Sequence, residues 1–185
     1  MDKKNFVTLI TGIVIGIAIG YLLGVVTSKE SSLPPAAHEQ TGKPNDLAQF
    51  IEAKKKELEK NPDNIQTRID LSNLLFDSGD YSHAVTHYME VLEVQPDNTN
   101  VLSDLGVCYR RSGQFDKAIE KFKRVTELQP EHVIAWYNIA VTYYYDHKNI
   151  SEAKKALDKV LKIDPFYKNA LRLKTEIENI EAQGK

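Results

Sequence analysis

At 185 residues, 42% hydrophobic and 27% charged, the chain is long enough for one compact domain and little more. A net charge of −2 excludes a nucleic-acid binder built on a concentrated basic surface, because phosphate binding draws its affinity from the counterions such a surface releases. A single cysteine, Cys108, excludes an internal disulfide, so packing alone must hold the fold.

From Phe6 to Val26 the chain carries no formal charge and is dominated by Ile, Val, Leu and Gly. At about 1.5 Å per residue a helix over 6–26 covers the roughly 30 Å hydrocarbon core of a bilayer. The run exceeds a signal-peptide core of about 7 to 15 residues. It is followed by Thr27-Ser28-Lys29-Glu30, with no small-x-small cleavage site. Residues 1–30 therefore read as an uncleaved transmembrane signal anchor. Lys3, Lys4 and the terminal amine precede the span, whereas Lys29 beside Glu30 follows it. Positive charge favours the cytoplasmic side, which places the N-terminus inside and the rest of the chain outside. The expected location is the periplasmic side of a bacterial inner membrane. Gly12, Gly16, Gly20 and Gly24 recur every four residues. Such a ridge lets a second helix approach closely, for self-association into a homo-oligomer or docking to a membrane subunit; glycine is also common in transmembrane helices in general.

Residues 31–45 hold Ser, Pro, Ala, Gly and Thr without hydrophobic periodicity and read as a flexible tether, some 40 Å long at roughly 3 Å per residue. Residues 46–62 carry Leu47, Phe50, Ile51 and Leu58 at helical spacing, a capping helix.

Beyond it, Pro62, Pro96, Pro130 and Pro165 stand 34, 34 and 35 residues apart, each closing a similar stretch. Proline at a fixed phase ends a helix and opens a turn. The first unit, 63–96, carries Leu71-Ser72, Leu75, Gly79-Asp80-Tyr81, Ala84, Tyr88 and Val91. The second, 97–130, carries Leu102, Leu105-Gly106, Tyr109, Gly113-Gln114-Phe115, Ala118, Phe122 and Val125. The third, 131–165, carries Trp136, Ile139-Ala140, Tyr143, Ile150, Ala153, Leu157 and Val160. It lacks the mid-repeat glycine and holds one extra residue between Tyr143 and Ala153, so a lengthened turn is expected near His147 to Asn149. Ser72, Gly106 and Ala140, opposite Ala84, Ala118 and Ala153, let paired helices approach, and aromatics fill the gaps. Gly79 and Gly113 sit where a helix ends in the left-handed conformation. Residues 166–185 form a second cap, with Ala170, Leu171, Leu173, Ile177 and Ile180 apolar. The expectation is an all-α chain with eight helices after the tether.

Over 63–165 the sequence resembles the tetratricopeptide-repeat family, whose period is 34 residues. The resemblance implies a helical solenoid of three repeats plus caps, and a partner protein or peptide in the concave groove lined by the first helix of each repeat. The matching positions are Gln66, Ile69, Asp70 and Asn73; Asn100, Ser103, Asp104, Val107, Arg110 and Arg111; Ile134, Tyr137, Asn138, Val141, Tyr144 and Tyr145; and Asn169 and Arg172 on the cap. The best-known subset of the family clamps a carboxylate with Lys and Asn; here those positions are Ile69 and Asn73, so acidic chaperone-type tails are not expected. Resemblance also implies an adaptor or assembly factor, as in small anchored bacterial proteins, some of which serve c-type cytochrome maturation. The alternatives are a self-assembling membrane scaffold, or an organelle import-type receptor whose repeats face the cytosol.

His83, His87 and Glu90 share a helix, but without a His-Glu-x-x-His motif, and in the repeat phase they fall on its exposed side; no metal is expected. Cys108 reads as a small core residue. No phosphate-binding glycine loop or nucleophile turn is present, so no cofactor and no catalysis are expected.

Overall fold

A computed structural model describes residues 44–183, all within one compact unit spanning Gly42–Lys185. The expected transmembrane segment, its glycine ridge and most of the tether lie outside the described residues. Among those described, no helix is long and apolar enough to cross a membrane.

The elements are eight α-helices and one π turn, with no strand among the described residues: α1 (Pro44–Lys60), α2 (Ile65–Asp77), α3 (Tyr81–Val94), α4 (Thr99–Arg111), α5 (Phe115–Leu128), α6 (Val133–Val141) continued by a π turn (Thr142–Asp146), α7 (Ile150–Ile163) and α8 (Lys168–Gln183). α1 begins at Pro44, two residues inside the segment read as tether. Each helix packs on the next in chain order. Three antiparallel hairpins result, α2–α3, α4–α5 and α6–α7, flanked by α1 and α8.

The turns between hairpins repeat because their chemistry repeats. Asn64, Asn98, His132 and Tyr167 each donate a backbone N–H to a carbonyl three residues back, at Asn61, Gln95, Gln129 and Asp164, across the recurring proline. Asn64 and Asn98 then cap the following helix by accepting from the N–H of Thr67 and Val101 at 3.1 and 3.2 Å. In the third repeat His132 Nδ1 takes that place, accepting from Ala135 at 3.1 Å. Such caps satisfy donors that the first helical turn leaves without partners. The position six residues beyond the proline reaches back to it: Arg68 donates to the Pro62 carbonyl at 2.6 Å, and Trp136 Nε1 to that of Pro130 at 2.9 Å.

Turns inside the hairpins show where the third repeat departs. Gly79 and Gly113 adopt φ of 82° and 74°, and the N–H of Asp80 and Gln114 closes on the carbonyl five residues back, at Leu75 and Tyr109. In the third repeat the equivalent bond runs six residues, from Asn149 to Tyr143, and the extra residue is absorbed by the π turn. Lys148 occupies the left-handed region at φ 55°, where the other repeats place glycine. The expected distortion near 147–149 is present, and it begins earlier, at Thr142.

Ser72, Ala84, Ala118, Ala140 and Ala153 are completely buried, as close helix approach requires. Gly106 is the tightest of these contacts. A Cβ there would lie 2.5 Å from the Phe122 ring, itself fully buried. The core runs through Leu71, Tyr88, Val91, Leu105, Phe122, Val125, Ile139, Leu157 and Val160 and ends on Ala170, Leu173 and Ile177 of α8. The rest of α8 is exposed and mostly polar, with Lys168, Thr175 and Asn179, although Leu171 and Ile180, expected on the packed side, are exposed with it.

Two substitutions test this account. Gly106→Ala is expected to destabilise the domain by about 1 to 3 kcal/mol, because Phe122 is enclosed and cannot retreat; an unchanged urea midpoint would show that the contact has slack. Lys148→Gly is expected to stabilise by up to about 1 kcal/mol, relieving the left-handed cost of a side chain, and a lowered midpoint would contradict that reading.

Candidate protein-binding face

The first helices α4 and α6 with its π turn, together with the capping helix α8, are linked laterally by side chains, while α2 is tied to α1 and α3. Arg110 Nε of α4 meets the Asp146 carboxylate of the π turn at 2.5 Å, with the two side chains only 15% and 16% exposed. Tyr144 and Tyr145 both donate their phenol O–H to Glu176 of α8, at 3.0 and 2.9 Å. The Tyr137 ring meets Tyr167 edge-on, with centroids 5.3 Å apart. These links bring the expected groove positions of successive repeats into one surface, and they also decide which of those positions are open.

On α2, Asn73 accepts at its carbonyl oxygen from the Tyr88 phenol at 2.6 Å, leaving its NH2 as the remaining donor. Asp70 accepts from Gln66 at 2.9 Å and pairs with Lys54 of α1 at 3.0 Å. Burial pushes the Asp70 carboxyl upward, but the Gln66 and Lys54 hydrogen bonds outweigh it and hold the group below its ordinary value. On α4, Asn100 and Arg111 are exposed, Ser103 and Asp104 half-buried. Asp104 lies close enough to Tyr88 and Cys108 to add to the effect of burial on both. Burial and this carboxylate push the Cys108 thiol up to about 12. A fully buried thiol so perturbed is a core residue, not a nucleophile.

The third repeat differs from the expectation of an open aromatic surface. Tyr137 and Tyr144 are 7% and 8% exposed, and Val141 is buried. Tyr145 stays exposed, Asn138 half-buried, and Ile134 open to solvent. Burial and the Glu176 carboxylate push Tyr144 up to about 12, so it remains a neutral donor. On the cap, Arg172 is exposed and Asn169 half-buried. The accessible polar set is therefore Asn73, Asn100, Asp104, Arg111, Asn138 and Arg172, while Arg110, Tyr137 and Tyr144 form the structure beneath them.

Sequence reasoning missed Asp146 and Glu176, which hold Arg110 and the two tyrosines. The extra residue in the third repeat was their only signal. It also placed His87 on the exposed side of α3. His83 is exposed there, its side chain at 73%, and pairs with Asp80 at 2.7 Å, but the His87 side chain is turned inward, at 23%. Among the described residues no group of three or more metal-ligating side chains could hold an ion.

A depression of about 430 Å³ lies on the opposite side, between α3, α4 and α5, floored by Leu92, Pro96 and Leu102. Most of its rim charges pair with one another or with Asp97: Lys121 with Glu120, and Arg124 with Asp97 and Glu127. Self-paired surface charges present little to a ligand.

The Arg110–Asp146 pair generates a prediction. Arg110→Ala and Asp146→Ala are each expected to cost about 1 to 3 kcal/mol, because each leaves a largely desolvated partner charge. The double variant is expected to cost less than the sum. Strict additivity in a double-mutant cycle would show that the pair does not couple the two repeats.

Residues 52–160 match the family model described as anaphase-promoting complex, cyclosome, subunit 3. No curated protein sequence matches the chain. Among solved structures, YrrB, described as a TPR protein with an unusual peptide-binding site, superimposes with a TM-score of 0.66 at 27% identity, over 71% of this chain and 67% of that one. MamA gives 0.64 at 22% identity, over 68% and 73%. MamA from Desulfovibrio magneticus RS-1 gives 0.63 at 18% identity, over 67% and 70%. The last two likenesses are of fold.

Proposed function

We propose that this chain, which belongs to the family of anaphase-promoting complex, cyclosome, subunit 3 and folds as a tetratricopeptide-repeat solenoid, is a membrane-tethered adaptor or assembly factor. On this reading it holds an extended segment of a partner protein against its first helices. The observation that carries the proposal is the row of accessible polar side chains, Asn100, Arg111, Asn138 and Arg172, on a surface rigidified from below by Arg110–Asp146 and Glu176. Amide and guanidinium groups can hydrogen-bond a peptide backbone or carboxylate. A preformed surface loses little entropy when a ligand orders on it. The peptide-binding site of YrrB supports the same kind of ligand. The apolar run from Phe6 to Val26 supports the tether, and the lysines before it support a cytoplasmic N-terminus with extracytoplasmic repeats.

A photo-crosslinking residue placed at Asn100 or Asn138 of the full chain in native membranes is expected to trap a discrete partner, and one placed at Lys123 or Lys155 on second helices is not. Equal yields from both faces, or none from the first, would remove the groove from the proposal. Protease access to a C-terminal tag, expected after the outer membrane is breached and not in inverted vesicles, tests the orientation separately.

A further inference from the structure

His87 carries a buried Nδ1 with no hydrogen-bond partner, 3.4 Å from Glu90 Oε2 but not aligned to bond with it. A buried polar atom without a partner is uncommon enough to require an explanation. Here the explanation lies in what Glu90 already does: its carboxylate accepts from Arg68 Nη1 of α2. The same guanidinium donates through Nη2 to the Pro62 carbonyl in the α1–α2 turn. One arginine thus ties together α2, α3 and the turn that joins α1, and its anchor on α3 stands beside an imidazole that takes no part.

The charged groups facing His87 are Arg68 from α2, Lys55 from α1, and His83 and Glu90 on α3 itself. Burial first, then Arg68, His83 and Lys55, hold the imidazole below its ordinary value, so at neutral pH it carries no charge. The arrangement is confined to the first repeat. At the equivalent positions the second repeat has Leu102, Lys121 and Arg124, and the third has Trp136, Ala156 and Lys159.

We propose that His87 is a proton-operated latch on the N-terminal part of the solenoid: neutral, it leaves Glu90 to Arg68; protonated, it competes for that carboxylate and repels the guanidinium, loosening α1, α2 and α3 together. The sign follows from linkage. A histidine whose folded value is depressed binds its proton more readily in the opened state, so stability is complete above about pH 6.5 and falls as pH drops below it. Because α2 carries Gln66, Asp70 and Asn73, acid would also weaken that end of the binding face; this consequence, unlike the latch, rests on the adaptor reading.

Hydrogen exchange of the full chain in detergent, at pH 7.5 and 5.5 and corrected for intrinsic exchange rates, tests the latch. Opening of residues 46–94 is expected to increase by up to about tenfold per pH unit relative to residues 97–183, and the increase is expected to vanish in His87→Gln. A uniform increase across all repeats, or an equal one in the variant, would overturn the proposal. Should the variant fold poorly, the wild-type imidazole resonance of His87 serves instead. A titration midpoint below the ordinary histidine value of about 6.5 is expected, with protection falling between that value and the midpoint, whereas a midpoint at or above it would overturn the latch.

Discussion

Every hairpin in this solenoid depends on two helices approaching at a point where the facing residues are no larger than alanine or serine. Gly106 against the Phe122 ring is the extreme case, but Ser72, Ala84, Ala118, Ala140 and Ala153 serve the same purpose and are equally buried. A larger residue at any of them would separate the backbones and leave voids beneath Tyr88, Phe122 or Leu157, costing the dispersion that dense packing supplies. The aromatic and the small residue are therefore one constraint. A hairpin that satisfies it still leaves an apolar flank, which the next hairpin must cover, until α8 ends the series with a mostly polar outer face.

That constraint fixes spacing within a repeat but leaves lateral registration to other interactions. The extra residue of the third repeat shows how they work. An α-helix cannot absorb an inserted residue without rotating everything after it, so the insertion appears as a π turn, the form such insertions commonly take. Its effect is to present Tyr144, Tyr145 and Asp146 to Glu176 and Arg110. The departure from the repeat pattern is thus the place where α4, α6 and the capping helix α8 are tied together, and the surface above them is held in one arrangement.

Polar groups divide along the same lines. Several second-helix charges neutralise one another at the surface, where such pairs contribute little. First-helix groups are either committed below the surface, as are Arg110 and the Asn73 carbonyl oxygen, or left at it, as are Asn100, Arg111 and Arg172. A partner held on that face, as proposed, would meet donors and acceptors whose supports are already in place. The first repeat adds the Arg68 linkage, the one place among the described residues where an inward-turned histidine adjoins a helix-spanning ion pair.

Periodicity alone determined the number and order of the helices, the turns, the glycines at Gly79 and Gly113 and the small-residue seam. Each follows from backbone geometry and local chemistry that recur with the residues themselves. It also located the irregular turn, because an inserted residue is visible as a broken period. What it did not determine was the fate of individual side chains on a face. Helical spacing made Tyr137, Tyr144 and Arg110 equivalent to exposed neighbours, and put His87 with His83. Whether such a residue is open depends on what the next helix brings against it: Tyr167 and Glu176, Asp146, or Arg68 and Glu90. Those contacts join residues some 20 to 40 positions apart in the chain, across a packing angle that no local pattern encodes, and only the assembled helices could decide them.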